Sequence, residues 1–320
     1  MLNSKYQATP IQKLNENLNN NTFYIKRDDL LPFSFGGNKV RKALLFFEDI
    51  EKLSANCVVT YGSSSSNHCR IVANIAASKG FPCYIISPSE SSQVTYNSKM
   101  IKLLGAEVIK CPVSEVEITI DKTLNYLKKK GYTPYFIQGG GHGNLGTQAY
   151  VDAYREILNY EKEAGIHFDY IFHTSGTGTT QAGLICGKIL NGDKREIIGI
   201  SNARKNPYGR QVVLDSVNSY LNSIDVKSVS LNEVNFLDDY ILNGYGSYNS
   251  QILNTIKQVL VKEGIPLDTT YTGKAFWGMR EYIKKNGITG KNILFIHTGG
   301  TPLFFETLEE MQNEASLSQK

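Results

Sequence analysis

Two lysines three residues apart, Lys39 and Lys42, follow the run Gly36-Gly37-Asn38. A glycine pair followed by helix formers places Lys39 in the first turn of a helix, with Lys42 on the same face. A cationic cluster there lowers the pKa of one ammonium, as a lysine that forms a Schiff base and then acts as a base requires. The competing reading is a solvated basic helix start, the usual fate of a lysine taken singly. Ser175-Gly176-Thr177-Gly178-Thr179-Thr180 suggests a phosphate cradle. Its glycines admit close backbone approach, its hydroxyls donate, and the following helix presents its positive end. A plain loop capped by Thr179 or Thr180 is the alternative. No Gly-Lys-Ser/Thr follows, so this is not a Walker loop. Gly141, Gly143 and Gly146 match dinucleotide spacing, but a long helix runs where an acidic strand end should come, which disfavours a nicotinamide cofactor.

These residues must be positioned by the surrounding elements. Apolar strand-like runs, Cys57 to Tyr61, Cys83 to Ile86, Glu107 to Ile109 and Tyr135 to Ile137, alternate with helical stretches at Ile71 to Lys79, Tyr96 to Leu104 and Ile118 to Lys130. The alternation restarts after Gly139-Gly140-Gly141. Helices are expected over Leu145 to Ala164, Thr180 to Leu190 and Ser250 to Glu263, and strands over Tyr170 to His173, Ile197 to Ile200 and Ile293 to Ile296. This order predicts an α/β protein with parallel sheets flanked by helices, in two blocks joined near residue 140. Asn222 to Gly246 reads only as mixed loop and short elements. Ligands in such sheets collect where strands end in glycine-rich turns, here Gly62 to Asn67, Ser175 to Thr180 and His297 to Gly300.

At 320 residues the chain has room for two modest α/β domains. With 41% hydrophobic and 20% charged residues it is an ordinary globular composition, outside the disordered range. The net charge of +4 is slight, and only Lys128-Lys129-Lys130 and Lys284-Lys285 cluster, as solvated helix faces do, so no nucleic-acid partner is inferred. Met1 to Gln12 lacks the apolar core of a signal peptide, and no apolar run approaches the roughly 20 residues of a membrane span. Five cysteines without a Cys-x-x-Cys pair argue against a disulfide framework and a zinc site, and for a reducing cytoplasm. No metal site is expected.

Five motifs occur in order: Gly-Gly-Asn-Lys39-x-Arg-Lys42, Ser66-Asn67-His68-x-Arg70, Ser175 to Gly183, Tyr271-Thr272-Gly273-Lys274-Ala275, and His297-Thr298-Gly299-Gly300. Together they resemble the fold-type II pyridoxal-phosphate (PLP) enzymes, in the branch of D-cysteine desulfhydrase and 1-aminocyclopropane-1-carboxylate (ACC) deaminase. The resemblance runs from Thr9-Pro10 and Lys26-Arg27-Asp28-Asp29 to Pro302. It implies a two-domain, tryptophan synthase β-like fold: a large PLP-binding domain from 1–47 and 151–320, and a small domain over 48–150.

By the same resemblance, Lys39 binds PLP and shuttles the α-proton, and Lys42 reaches the phosphate beside Gly176, Thr177, Gly178, Thr179 and Thr180. Asn67 bonds the phenolic oxygen, Ser66 takes the substrate carboxylate, Tyr271 faces the substrate and Thr298 meets the pyridine nitrogen. ACC deaminases carry Glu and Leu where this chain has Thr272 and Thr298. The two hydroxyls are expected around the pyridine end, giving a shallower electron sink that suits β-elimination better than ring opening. The implied activity is α,β-elimination from a small amino acid with a β leaving group, D-cysteine being the type substrate, yielding keto acid and ammonia. β-Replacement, racemisation, ACC ring opening and a non-catalytic PLP-binding role are the alternatives. A homodimer is implied as well. His173 and His297 read as structural, His68 as orienting Asn67, and Cys69 as a packed small residue.

Overall fold

The computed structural model describes residues 7–91 and 93–317. Residues 1–6 of the polar N-terminal stretch therefore lie outside the described residues. The strands are β1 (Ile11–Lys13), β2 (Thr22–Lys26), β3 (Cys57–Tyr61), β4 (Cys83–Pro88), β5 (Glu107–Cys111), β6 (Pro134–Ile137), β7 (Tyr170–Ser175), β8 (Glu196–Ser201), β9 (Asn235–Leu237) and β10 (Asn292–Ile296). The helices are α1 (Asn38–Lys52), α2 (Asn67–Ser78), α3 (Tyr96–Leu103), α4 (Val116–Lys129), α5 (Asn144–Ala164), α6 (Thr179–Leu190), α7 (Tyr208–Ser223), α8 (Ser250–Glu263), α9 (Thr272–Lys285) and α10 (Thr301–Leu317).

Two sheets form, in the orders β1-β2-β10-β7-β8-β9 and β5-β4-β3-β6. All pairings are parallel except β1 with β2. The inner strands β7, β8 and β10 of the larger sheet are buried on both faces, which explains their continuous apolar runs. In β10, Leu294 and Ile296 join the core formed with α5, α6 and α7, while Ile293 and Phe295 join the core under α8 and α9. Strand alternation with period two assigns each residue to its face. The smaller sheet is covered on one side by residues of α1 and α2 and on the other by Leu127 and neighbours from α4.

Close backbone approach places the functional turns. Gly183 and Gly187 lie against α5, where an added Cβ would sit 2.4 Å from Tyr150 Cβ and 2.5 Å from Tyr154 Cβ. Larger residues would push α6 outward and move the turn at its start. Gly37 and Gly299 meet similarly: a Cβ on Gly299 would lie 2.6 Å from Gly37 Cα. The Asn38 N–H then donates to the Thr298 carbonyl at 3.0 Å, tying the first turn of α1 to the turn after β10.

A buried ionic cluster also holds α1. Arg41 donates to Asp28 and Glu156, Lys26 donates to Glu156, and the Thr9 and Tyr150 hydroxyls donate to Asp28. Arg41 holds the Asp28 carboxyl down at about 2 against the opposing effect of burial. Removing one member of such a set leaves a buried unpaired charge, at a cost of about 3–5 kcal/mol.

Candidate active site

The C-terminal ends of β3, β6, β7 and β10 converge on one cavity of about 740 Å3. In both sheets it opens beside strands that are neighbours in space but not in sequence, β3 with β6 and β7 with β10, as expected for ligand sites in parallel sheets. Lys39, Ser66, Asn67, Gly176, Thr177, Tyr271 and Thr298 all line it. Gly178, Thr179 and Thr180 form the start of α6 behind Gly176 and Thr177.

Lys39 stands in the first turn of α1, as the glycine pair and helix formers predict. Its Nζ donates to the Gly140 carbonyl at 3.0 Å. Burial pushes its pKa down to about 8. About a tenth of the amine is then free base at pH 7, against roughly one part in 2,500 for an ordinary lysine. The cause differs from the cationic cluster expected: desolvation depresses Lys39, and it is Lys42 that feels its neighbour's charge. Lys42 is itself buried, donates from Nζ to Thr179 Oγ1 at 2.8 Å, and sits behind the cradle instead of on the cavity wall. Burial holds its pKa well below the ordinary lysine range.

The cradle has the properties of an anion site. Gly178 caps α6 with φ 101° and no side-chain acceptor, so the first-turn N–H groups are left without a cap. Among the described residues, the buried hydroxyls of Ser175 and Thr177 have no hydrogen-bond partner. An unsatisfied buried hydroxyl costs about 1–3 kcal/mol, and phosphate oxygens are acceptors of the right kind. The residues fit a phosphorylated cofactor. Thr180 is turned aside, its Oγ1 accepting from Asn38 Nδ2 at 3.1 Å.

Across the cavity, Ser66 is the N-cap of α2, accepting from Cys69 N at 3.2 Å. The helix therefore starts at Asn67, earlier than the Ile71 expected from periodicity, because the cap lies inside the serine run. Ser66 Oγ accepts at the cap and also lies within hydrogen-bond reach of the Cys69 thiol. Asn67 Oδ1 accepts from Arg70 and Asn97. His68 does not orient Asn67; its Nε2 meets Thr60 Oγ1 at 2.9 Å. Thr60 spends its own proton on the Ile137 carbonyl, so His68 donates there, and burial lowers its pKa far below the usual range. Cys69 is fully buried, and burial drives its thiol up to about 12, as befits a packing residue.

Thr272 requires a correction. Its hydroxyl does not face the cavity but donates to Asp268 Oδ2 at 2.8 Å, and its side chain is fully buried. Asp268 also accepts from the N–H groups of Thr270, Tyr271 and Thr272. The resemblance implied a place for Thr272 at the pyridine end, but the start of α9 turns it inward. A glutamate here would bury a second carboxylate against Asp268. Thr272→Glu is expected to lose about 3 kcal/mol or more of stability, read as the urea midpoint. A wild-type midpoint would contradict this placement.

Several wall residues escaped sequence reasoning. Tyr245 shares a hydrogen bond with the Tyr271 hydroxyl and lies within Asn222 to Gly246, where the sequence reads only as mixed loop and short elements. Its only local signal is the flanking pair Gly244 and Gly246. Arg204 donates to the Gly176 carbonyl at 3.0 Å and stacks near Tyr208, so it braces the cradle. His142 meets the Thr177 carbonyl at 3.2 Å. Asp215 is the only carboxylate among the described wall residues.

The chain matches the family described as "Pyridoxal-phosphate dependent enzyme" over residues 2–299. It belongs to that family. A pyridoxal-phosphate dependent enzyme of this kind has relatives with different names. The chain is 32% identical to a putative ACC deaminase of Pyrococcus abyssi, over 90% of this chain and 87% of the relative. It is equally 32% identical to a D-cysteine desulfhydrase of Yersinia enterocolitica, over 93% of each. A crystal structure of an ACC deaminase homologue superposes with TM-score 0.86 at 29% identity, covering 96% of this chain and 94% of that one. The fold-type II architecture expected from the motifs is therefore the fold of this enzyme, and its cofactor is pyridoxal phosphate.

Proposed function

We propose that this enzyme catalyses α,β-elimination from a small amino acid carrying a β leaving group, with D-cysteine as the type substrate. One observation carries the choice over ACC ring opening. Thr298, a neutral hydroxyl, lines the wall, and the only described wall carboxylate, Asp215, lies on α7 beside Tyr208 and Val212. The buried Asp268 is occupied by four donors. Bound pyridoxal phosphate supplies an electron sink for the charge left when the α-proton departs.

In this reading each side chain has one task. The start of α6 and the hydroxyls of Ser175 and Thr177 bind the phosphate, and Arg204 and Lys42 brace that turn from either side. Lys39 holds the cofactor and then removes the α-proton, the pKa of its partly buried amine being lowered to about 8. Ser66 and the first turn of α2 receive the substrate carboxylate. Tyr271, linked to Tyr245, closes the opposite wall. Departure of the β-group takes the electron pair of its bond, and water then releases ammonia from the remaining carbon skeleton as keto acid. For D-cysteine the products are hydrogen sulfide, pyruvate and ammonia.

The proposal extends to a cytoplasmic homodimer with the small domain over 48–150. Five buried, unpaired cysteines suit a reducing compartment. Separate sheets support the division, although its boundaries fall within α1 and α5. A panel of D- and L-amino acids with β leaving groups, assayed for keto acid beside ACC, tests the reading. Keto acid from D-cysteine with little from ACC is expected; efficient ACC turnover by the wild type would overturn it.

A further inference from the structure

Arg70 is fully buried on the first turns of α2, and no carboxylate pairs with it among the described residues. Its Nη1 donates to Asn67 Oδ1 at 2.5 Å and to Asn97 Oδ1 at 2.7 Å. Its Nη2 reaches the Gly36 carbonyl at 3.4 Å, while its Nε has no partner. A buried guanidinium without a counter-charge carries a large desolvation cost. Burial lowers its pKa to about 10, which still leaves it charged at neutral pH. Such a residue needs a reason to be there.

The reason lies in the polarity of its contacts. An arginine has donors only, so whatever atom of Asn67 faces it must be the oxygen. The same holds for Asn97, whose Oδ1 meets the same nitrogen. Asn97 Nδ2 then donates to Asn67 Oδ1 at 3.0 Å and to the Ser65 carbonyl at 2.7 Å, an obligate acceptor. Every contact in the set has a forced direction, and the Asn67 carboxamide is left one orientation. With two donors on its oxygen, its nitrogen remains for the cavity, whose wall Asn67 forms.

We infer that Arg70 is a positioning residue that locks the Asn67 carboxamide with its nitrogen towards the cavity, so that the site offers a donor and never an acceptor there. The inference rests on the proposed function and on the place the family resemblance implies for Asn67, facing the phenolic oxygen of the cofactor. A fixed donor favours the anionic form of that oxygen and so weakens proton binding at the neighbouring nitrogen. Without Arg70 the carboxamide can rotate and the donor is lost for part of the time.

The test is the pH midpoint of the visible absorbance of the holoenzyme, measured for wild type, Arg70→Met, Asn67→Ala and the double variant. A charge-assisted hydrogen bond corresponds to about one pH unit. Arg70→Met should raise the midpoint by about that amount, a tenfold change in proton affinity, and should lose more than about half of this effect in the Asn67→Ala background. An unchanged midpoint in Arg70→Met would overturn the inference. So would a shift of which about half or more survives without Asn67, since the arginine would then act by charge or packing alone. Should Arg70→Met fail to fold, Arg70→Gln carries the same test, because its amide can face Asn67 with either atom and no longer forces the orientation. A visible chromophore that survives Lys39→Ala would sink the site reading, and this inference with it.

Discussion

Lys39→Ala is expected to lose both the visible absorbance of the bound cofactor and turnover, the latter by about a thousandfold or more. General acid–base catalysis contributes roughly 10²–10⁴-fold, and the same side chain also anchors the cofactor. Its Nζ makes one hydrogen bond, to Gly140, and alanine preserves the helix start at Gly37 and Asn38, so folding should be spared. The proposed phosphate site at the start of α6 is untouched by the change. Cofactor should therefore still bind, without the lysine-bound chromophore. A rapid assay of keto acid with urea denaturation as the folding control checks this. Retained chromophore and full turnover would place the chemistry on another lysine.

Gly178→Asp should weaken cofactor affinity about a hundredfold or more, with a smaller fall in turnover at saturating cofactor. Unit charges about 4 Å apart near a surface repel by about 4 kcal/mol, and each 1.4 kcal/mol is tenfold in binding. Space is available, since an added Cβ would meet Val212 Cγ1 at 3.4 Å and Val212 O at 3.5 Å. The left-handed φ of 101° adds strain of about 1–2 kcal/mol. Gly178→Ala carries that strain without the charge, so the difference between the two variants isolates repulsion of the phosphate. Equilibrium dialysis of each measures it. Equal retention by aspartate and wild type would move the phosphate elsewhere.

The buried parallel strands were legible because both their faces are covered, and β3, β4, β7, β8 and β10 stand within a few residues of the apolar runs that signal them. β1, β2 and β9 were not legible. They are short and polar-flanked, and β1 and β9 lie at the edges of the larger sheet, where little apolar pattern is needed. Helices α7 and α9 give a weak periodic signal for a different reason: their buried faces are interrupted by glycine, serine and charged residues, among them Gly209, Ser216, Gly273 and Lys274. The catalytic turns announced themselves through glycine and hydroxyl composition. Side-chain direction did not. Lys42 shares a helical face with Lys39 yet ends on Thr179, and Thr272 follows Tyr271 yet ends on Asp268. Tyr245 reaches the site through a loop fixed by Lys274, whose Nζ holds the Ile241 and Gly244 carbonyls, a contact no local pattern encodes.

The central claim is that the pyridoxal-phosphate cofactor is held at Lys39, between the α6 cradle and the start of α2. Borohydride reduction of the purified holoenzyme followed by peptide mapping tests it most directly. The label should appear on the peptide containing Lys39 and disappear in Lys39→Ala, while Lys42 stays unlabelled behind Thr179. Stoichiometric label on Lys42, Lys274 or any other lysine would contradict the assignment.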